Sequence, residues 1–153
     1  MGLRVRCATK EIKGDATELV EGYIARAGSM VRSGTGREVF VAVGEPTLPI
    51  PEEGEVGQGG RSQHLALLMA KAMQGENHMA FLAAGTDGTD GPTNDAGGIV
   101  NGKTLGIGKK SNLVSQDFLN NADAGNYLEK TDSLITTGPT GTNVMDIILA
   151  LKT

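Results

Sequence analysis

The chain has 153 residues, with 14 basic and 18 acidic side chains for a net charge of −4 and only 3% aromatics. That length suits one domain with a real core, while the mild acidity and the scarcity of aromatics exclude the basic footprint and stacking platforms of nucleic-acid binding, and a basic membrane-binding surface. No apolar run approaches the roughly 20 residues of a bilayer span, the start Met1-Gly-Leu-Arg-Val-Arg6 lacks a signal-peptide core, and Cys7 has no disulfide partner, so a cytoplasmic location is expected.

Leu3, Val5 and Cys7 alternate with Arg4 and Arg6, which predicts a half-exposed first strand with Cys7 as a small buried residue. Asp15-Ala-Thr-Glu18 reads as a capping box, and Val20, Tyr23, Ile24, Ala27 and Val31 follow at helical spacing until Gly34 and Gly36. Glu38–Val43 predicts a second strand. Residues 44–60, with Pro46, Pro49 and Pro51 and then Gly54, Gly57, Gly59 and Gly60, read as a long polar connection that is either functional or mobile. Leu65, Leu68, Met69, Ala72 and Met73 then give an amphipathic helix over 62–74, closed near Gly75.

His78 to Ala84 is a short apolar run of strand length. It stops at Gly85-Thr86-Asp87-Gly88-Thr89-Asp90-Gly91, with Asp95 close behind. Asp87, Asp90 and Asp95 are therefore expected at the carboxyl edge of a sheet, where open α/β folds bind ligands. A solvated turn fits the same residues, since Asp-Gly is common in turns. Glycine, at 23 residues, is about twice its usual share, and its clustering predicts several ordered loops. Beyond Ile99-Val100 lies a basic, glycine-rich stretch, Lys103 to Lys110. Ser115 is expected to cap a short helix through Phe118-Leu119. Leu134 to Thr137 and Val144 to Leu151 read as strands, and the short loop Gly138–Asn143 between them predicts an antiparallel hairpin. Strands alternating with helices give an α/β class with a mixed sheet.

Three segments carry chemistry. Gly57-Gln-Gly59-Gly60-Arg61-Ser-Gln63 precedes a helix whose free N–H groups favour an anion, and Arg61 adds a fork suited to carboxylate or phosphate. The stretch is neither a Walker A loop nor a dinucleotide fingerprint. A capped helix with a surface arginine is the plainer alternative. Asp87 and Asp90 are of the type that ligates Mg²⁺ alongside substrate oxygens, although the EF-hand spacing is absent; an acidic partner for Arg61 fits equally well. Gly138-Pro-Thr140-Gly-Thr142-Asn143 offers hydroxyls, N–H groups and an amide, as any hairpin turn would. Glu45 and Thr47 stand at another strand end. His64 and His78 belong to no nucleophile or ligand cluster and read as structural or surface residues.

Taken together, four stretches resemble the MOFRL domain, the C-terminal part of class II glycerate kinases (also labelled hydroxypyruvate reductases). They are Gly44-Glu45-x-Thr47, Gly57-x-Gly59-Gly60-Arg61-x-Gln63, Ala84-Gly-Thr86-Asp87-Gly-Thr-Asp90-Gly-Pro-Thr93 and Thr137-Gly-Pro-Thr140-Gly-Thr142-Asn143-Val-x-Asp146. The likeness runs from about Leu3 to Lys152. It implies a three-layer α/β/α sandwich with a mixed sheet, in a single domain over 1–153. It implies a Rossmann-like N-terminal kinase domain as partner, in trans or as a missing part of the chain, with the active site between the two. The implied reaction moves the γ-phosphoryl group of ATP to D-glycerate, giving 2-phosphoglycerate, with Mg²⁺ as the attendant ion.

By that pattern Arg61 and Asp87 are the catalytic pair, and Asp87 is the candidate metal ligand. Glu45, Thr47, Gly59, Gly60, Gln63, Thr86, Asp90, Thr140, Thr142 and Asn143 are the substrate- or phosphate-binding candidates. The chain departs from the pattern at Val43-Gly-Glu-Pro46, at Ser62 and His64, and at Asn121-Ala-Asp123. The expected roles are then a kinase domain inactive alone, a non-catalytic small-anion-binding or regulatory module, or, ranked last for want of a nicotinamide fingerprint, a hydroxypyruvate reductase. A domain parted from its partner also leaves room for self-association.

Overall fold

The computed structural model describes residues 2–23, 36–51 and 56–153. Seven strands form one mixed sheet. In chain order these are β1 (Arg4–Cys7), β2 (Ile12–Asp15), β3 (Glu38–Thr47), β4 (Met79–Gly85), β5 (Gly97–Asn101), β6 (Leu134–Ile135) and β7 (Asp146–Lys152). The helices are α1, of which 16–23 is described, α2 (Arg61–Ala72), α3 (Thr104–Lys110), α4 (Ser115–Asn120) and α5 (Ala124–Lys130). The spatial order is β1-β3-β7-β4-β5-β6, with β2 continuing β1's edge beside the second half of β3. β1 and β2 pair parallel with β3, and every other pairing is antiparallel. The α/β class and the mixed sheet are as the sequence led us to expect.

The order follows from apolar content. Ile147 to Leu151 is an uninterrupted apolar run, and β7 lies in the sheet centre between β3 and β4, which carry such runs too. Phe40, Phe81, Ile148 and Ala150 point to one face, where Leu65, Leu67, Met69, Tyr127 and Leu128 complete the core. Tyr23 of α1 meets Phe40 and Phe81 there, with ring centroids 6.2 and 5.7 Å apart. Of the expected layers, the described residues build the sheet and this helical one; Val43 and Ile99 on the opposite face are exposed.

Several expectations change. The predicted hairpin does not exist: β6 pairs with β5 at the sheet edge, and the 136–145 segment crosses the ends of β5 and β4 to reach β7. Loop length alone did not decide the pairing, because central burial of β7 outweighs closure of a short loop. β3 runs on to Thr47, into what reads as a connection, because β2 pairs with residues 44–47. Pro46 is tolerated there since β7 ends its pairing at Gly44. Cys7 is exposed rather than buried, on an edge strand whose four residues all face solvent.

α2 is buried almost all round rather than along a stripe, from Ser62 to Leu67 without a break, because α4 and α5 pack over it. Lys103–Lys110 holds a helix, α3, despite its glycines: Leu105 enters the core and Thr104 Oγ1 accepts from Asn101 N at 3.1 Å. Ser115 lies inside α4, whose N-cap is Val114 with no side-chain cap. Asp15 does cap α1, through Thr17 N at 2.7 Å, whereas Ile24, Ala27, Val31, Gly34 and Gly54 lie outside the described residues.

Candidate functional site

β3 and β4 run parallel with antiparallel β7 between them, so their carboxyl ends and the start of β7 share one edge. The start of α2 and the loop after β4 meet there, the usual place for ligands in open α/β sheets. A cavity of about 480 Å³ opens at this edge. Its lining includes Pro46, Thr47, Leu48, Gly59, Gly60, Arg61, Thr86, Asp87, Asp90, Pro92, Asn143 and Asp146. Arg61 and Asp87 therefore face one cavity.

Arg61 is the first residue of α2. Its Nε donates to Asp146 Oδ2 at 2.7 Å, and its Nη2 donates to Asp146 Oδ1 and Glu45 Oε1, each at 3.2 Å. The Asp146 hydrogen bond, more than any other influence, raises the pKa of the guanidinium, with the charges of Asp146, Glu45 and Asp90 adding to it and burial opposing it. Asp146 is 4% exposed and opens β7 with a glycine opposite it on each side, Gly44 and Gly85. A Cβ on Gly85 would stand 2.3 Å from Thr89 O, so the bare backbone lets the acidic loop fold back onto the strand end. Met145, just before Asp146, takes the left-handed φ of +72°, a strained turn held by Thr86 N and Thr86 Oγ1 donating to Met145 O at 3.2 and 2.7 Å.

The free N–H groups expected to hold a ligand at the start of α2 already have an anion. Asp90 Oδ1 and Oδ2 accept from Ser62 N and Gln63 N at 3.1 and 2.8 Å, capping the helix from 28 residues away. Gly60 makes this approach possible, since a Cβ there would lie 2.4 Å from the Asp90 carboxyl carbon. Burial pushes Asp90 up to about 6, against the pull of the two backbone bonds and Arg61. His64, on the same helix, is lowered to about 4 by burial.

The other candidates divide. Asp87 is an acceptor within its own loop: Oδ1 takes Thr89 N and Thr89 Oγ1 at 3.0 and 3.2 Å, and Oδ2 takes Asn143 Nδ2 at 3.2 Å. Thr47, Gly59, Gly60, Thr86 and Asn143 line the cavity. Thr140 is a clip instead, its N donating to Asp87 O at 3.1 Å and its Oγ1 to Thr86 O at 2.5 Å, while Thr142 O accepts from Thr140 Oγ1. Gln63 turns away from the cavity and ties α2 to the loop through Nε2, which donates to Thr93 Oγ1 at 2.7 Å.

The carboxylates around the cavity thus have work already, and no group of three His, Cys, Asp or Glu among the described residues is arranged to hold a metal ion. Among them, too, no helix is long and apolar enough to cross a membrane.

Asp146 is the functional residue whose role sequence reasoning missed. It closes the fourth stretch of motif, and a charged residue opening a strongly apolar strand was its signal.

Comparison with known proteins agrees with this architecture. The model of the MOFRL family matches residues 38–146. The D-glycerate 2-kinase of Thermotoga maritima is 50% identical over 95 residues, covering 62% of this chain and 23% of that protein. The glycerate 2-kinase of Pyrococcus horikoshii is 32% identical over 156 residues, covering 100% of this chain and 35% of that protein. A crystal structure of glycerate kinase from Thermotoga maritima superposes with a TM-score of 0.91 at 35% identity, over 99% of this chain and 37% of that one. The chain thus spans between about a quarter and a third of the length of these curated relatives.

Proposed function

The chain belongs to the MOFRL family, and from that premise we propose that it is the substrate-side domain of a glycerate 2-kinase. Its relatives carry the names glycerate kinase and glycerate 2-kinase, which points to ATP as phosphoryl donor. In this reading the C2 hydroxyl oxygen of D-glycerate gives up its proton to water and bonds to the γ-phosphorus, the bond from that phosphorus to the bridging oxygen of ATP breaks, and ADP leaves with 2-phosphoglycerate as product. Such transfers depend on positioning and on charge stabilisation more than on covalent chemistry by the protein.

The observation that carries the reading is Arg61. Among the described residues it is the one cation lining a cavity otherwise lined by acidic, small, polar and apolar groups, and its fork is aimed by a buried carboxylate. A guanidinium held this way matches the carboxylate of glycerate or the transferring phosphoryl group. Thr47 offers a hydroxyl and Asn143 the second N–H of its amide for orienting a small hydroxy acid, while the Thr86 hydroxyl is already taken by Met145 O and Val144 N. The relatives are a little under three times as long as this chain, so the nucleotide-side groups are assigned to a kinase domain acting as partner.

Calorimetric titration with D-glycerate and with sulfate tests the reading. Arg61→Ala is expected to weaken binding by about 1–3 kcal/mol, the scale of a charge-assisted contact. Unchanged affinity would remove Arg61 from the site. Mixing this chain with the remaining portion of the Thermotoga maritima kinase is expected to give glycerate-dependent ADP release that Arg61→Ala abolishes.

A further inference from the structure

Two carboxylates hold Arg61, and they hold it unequally. Asp146 takes one whole side of the fork, from Nε at 2.7 Å and Nη2 at 3.2 Å, with a side chain only 6% exposed. Glu45 takes a single Nη2 hydrogen at 3.2 Å, with a side chain 55% exposed. A guanidinium has five donors. Three are used, and no described residue accepts from Nη1.

This leaves one edge on which an incoming carboxylate or phosphoryl group can take two parallel N–H bonds, the end shared by Nη1 and Nη2. Glu45 sits on the Nη2 half of that edge. A two-point grip on a substrate anion therefore requires Glu45 to leave, while the side held by Asp146 need not change. We propose that Glu45 is a placeholder: its carboxylate occupies the position on Arg61 that a substrate anion takes, and yields it on binding, with Asp146 as the fixed anchor.

The inference rests on the reading of Arg61 as the anion holder, and it reverses the expectation that Glu45 binds the substrate. The exchange is favourable in direction, because an exposed one-contact ion pair is weak and a bidentate grip is stronger. Lys13, the register partner of Glu45 on β2, is already paired with Glu11 at 3.1 Å, so the released carboxylate goes to solvent.

The test is calorimetry with sulfate and D-glycerate on the unchanged protein, Glu45→Ala, Glu45→Asp, Arg61→Ala and the Glu45→Ala/Arg61→Ala double variant, with folding checked by circular dichroism. Glu45→Ala is expected to bind both anions about three- to fivefold tighter, the scale of one exposed pair removed. Glu45→Asp keeps the charge but is one methylene too short to reach Nη2, so it is expected to gain nearly as much. In the Arg61→Ala background the gain disappears.

Affinity in Glu45→Asp equal to the unchanged protein's would reduce Glu45 to a general source of field and overturn the proposal. Weaker binding in Glu45→Ala would make Glu45 a ligand-binding residue, with the same result. If instead the unchanged protein binds neither anion, or Arg61→Ala binds as well as it does, the reading of Arg61 fails first and the placeholder with it.

Discussion

Among the described residues four carboxylates stand at this edge of the sheet, two in the wall of the cavity and two on its rim. In the wall, Asp90 and Asp146 are 5% and 4% exposed, and each has both oxygens committed, Asp90 to the first N–H groups of α2 and Asp146 to the guanidinium. On the rim, Glu45 makes one long bond to Arg61, and Asp87 shapes its own turn. The same chemical group is scaffold in one place and exchangeable contact in the other. Burial makes the difference. A buried charge left unpaired is costly, so the wall positions are over-determined by partners from distant strands, whereas water replaces a lost rim contact cheaply.

Removing a wall carboxylate is the largest way to break that contrast. Asp146→Ala is expected to lower the unfolding free energy by about 2–3 kcal/mol, below the full cost of a broken buried pair because Arg61 is 36% exposed and regains water. Urea denaturation reads this directly. A loss no larger than that from a rim substitution would erase the distinction between the two regions.

Acid sharpens it next. His64 has a folded pKa of about 4 against an ordinary 6.5, so below pH 6.5 the unfolded chain takes up a proton that the folded one refuses, and stability falls toward pH 4. Asp90 has a folded pKa of about 6 against 3.8, so between those values the folded state holds the extra proton, and stability rises as pH falls. The two offset one another between about pH 4 and 6. On going from pH 6.5 to 5, Asp90→Asn is expected to lose about 1 kcal/mol relative to the unchanged protein, because it lacks the group that holds an extra proton when folded, and His64→Gln to gain about 1.5 kcal/mol. Thermal unfolding across that range separates them; parallel profiles for both variants and the unchanged protein would show that neither buried group is coupled to folding.

Much of this was legible where the signal is local. The apolar run ending at Gly85, the helix after Arg61 and the first half of β3 announce themselves within windows of about ten residues. The wall was not. Asp90 caps a helix 28 residues earlier, and Asp146 meets an arginine 85 residues before it. Neither partnership leaves a trace in spacing. β7 was readable as a strand, yet its place between β3 and β4 is fixed by register with Gly44 and Gly85, so the inferred hairpin with β6 was wrong. β2 and α5 are short and hold their conformation through tertiary contacts, against weak local propensity. At Glu45 and Asp87 the sequence named the right residues for the edge, since rim positions follow directly from where strands end.

The smallest expected effect is the most demanding test of the contrast. Glu45→Ala removes a carboxylate 3.2 Å from the same guanidinium that Asp146 holds, yet its own side chain is 55% exposed and makes one contact. Its loss is expected to change the unfolding free energy by less than about 0.5 kcal/mol, because solvent screening and side-chain ordering nearly cancel the Coulomb gain of an exposed pair. Raising the salt concentration is expected to shrink even that difference, whereas the deficit of Asp146→Ala persists, since a largely buried pair is screened far less. A salt-resistant loss of 2 kcal/mol or more in Glu45→Ala, on the scale of a broken buried pair, would place Glu45 in the wall, and the guanidinium would then have no exchangeable partner to yield to a substrate.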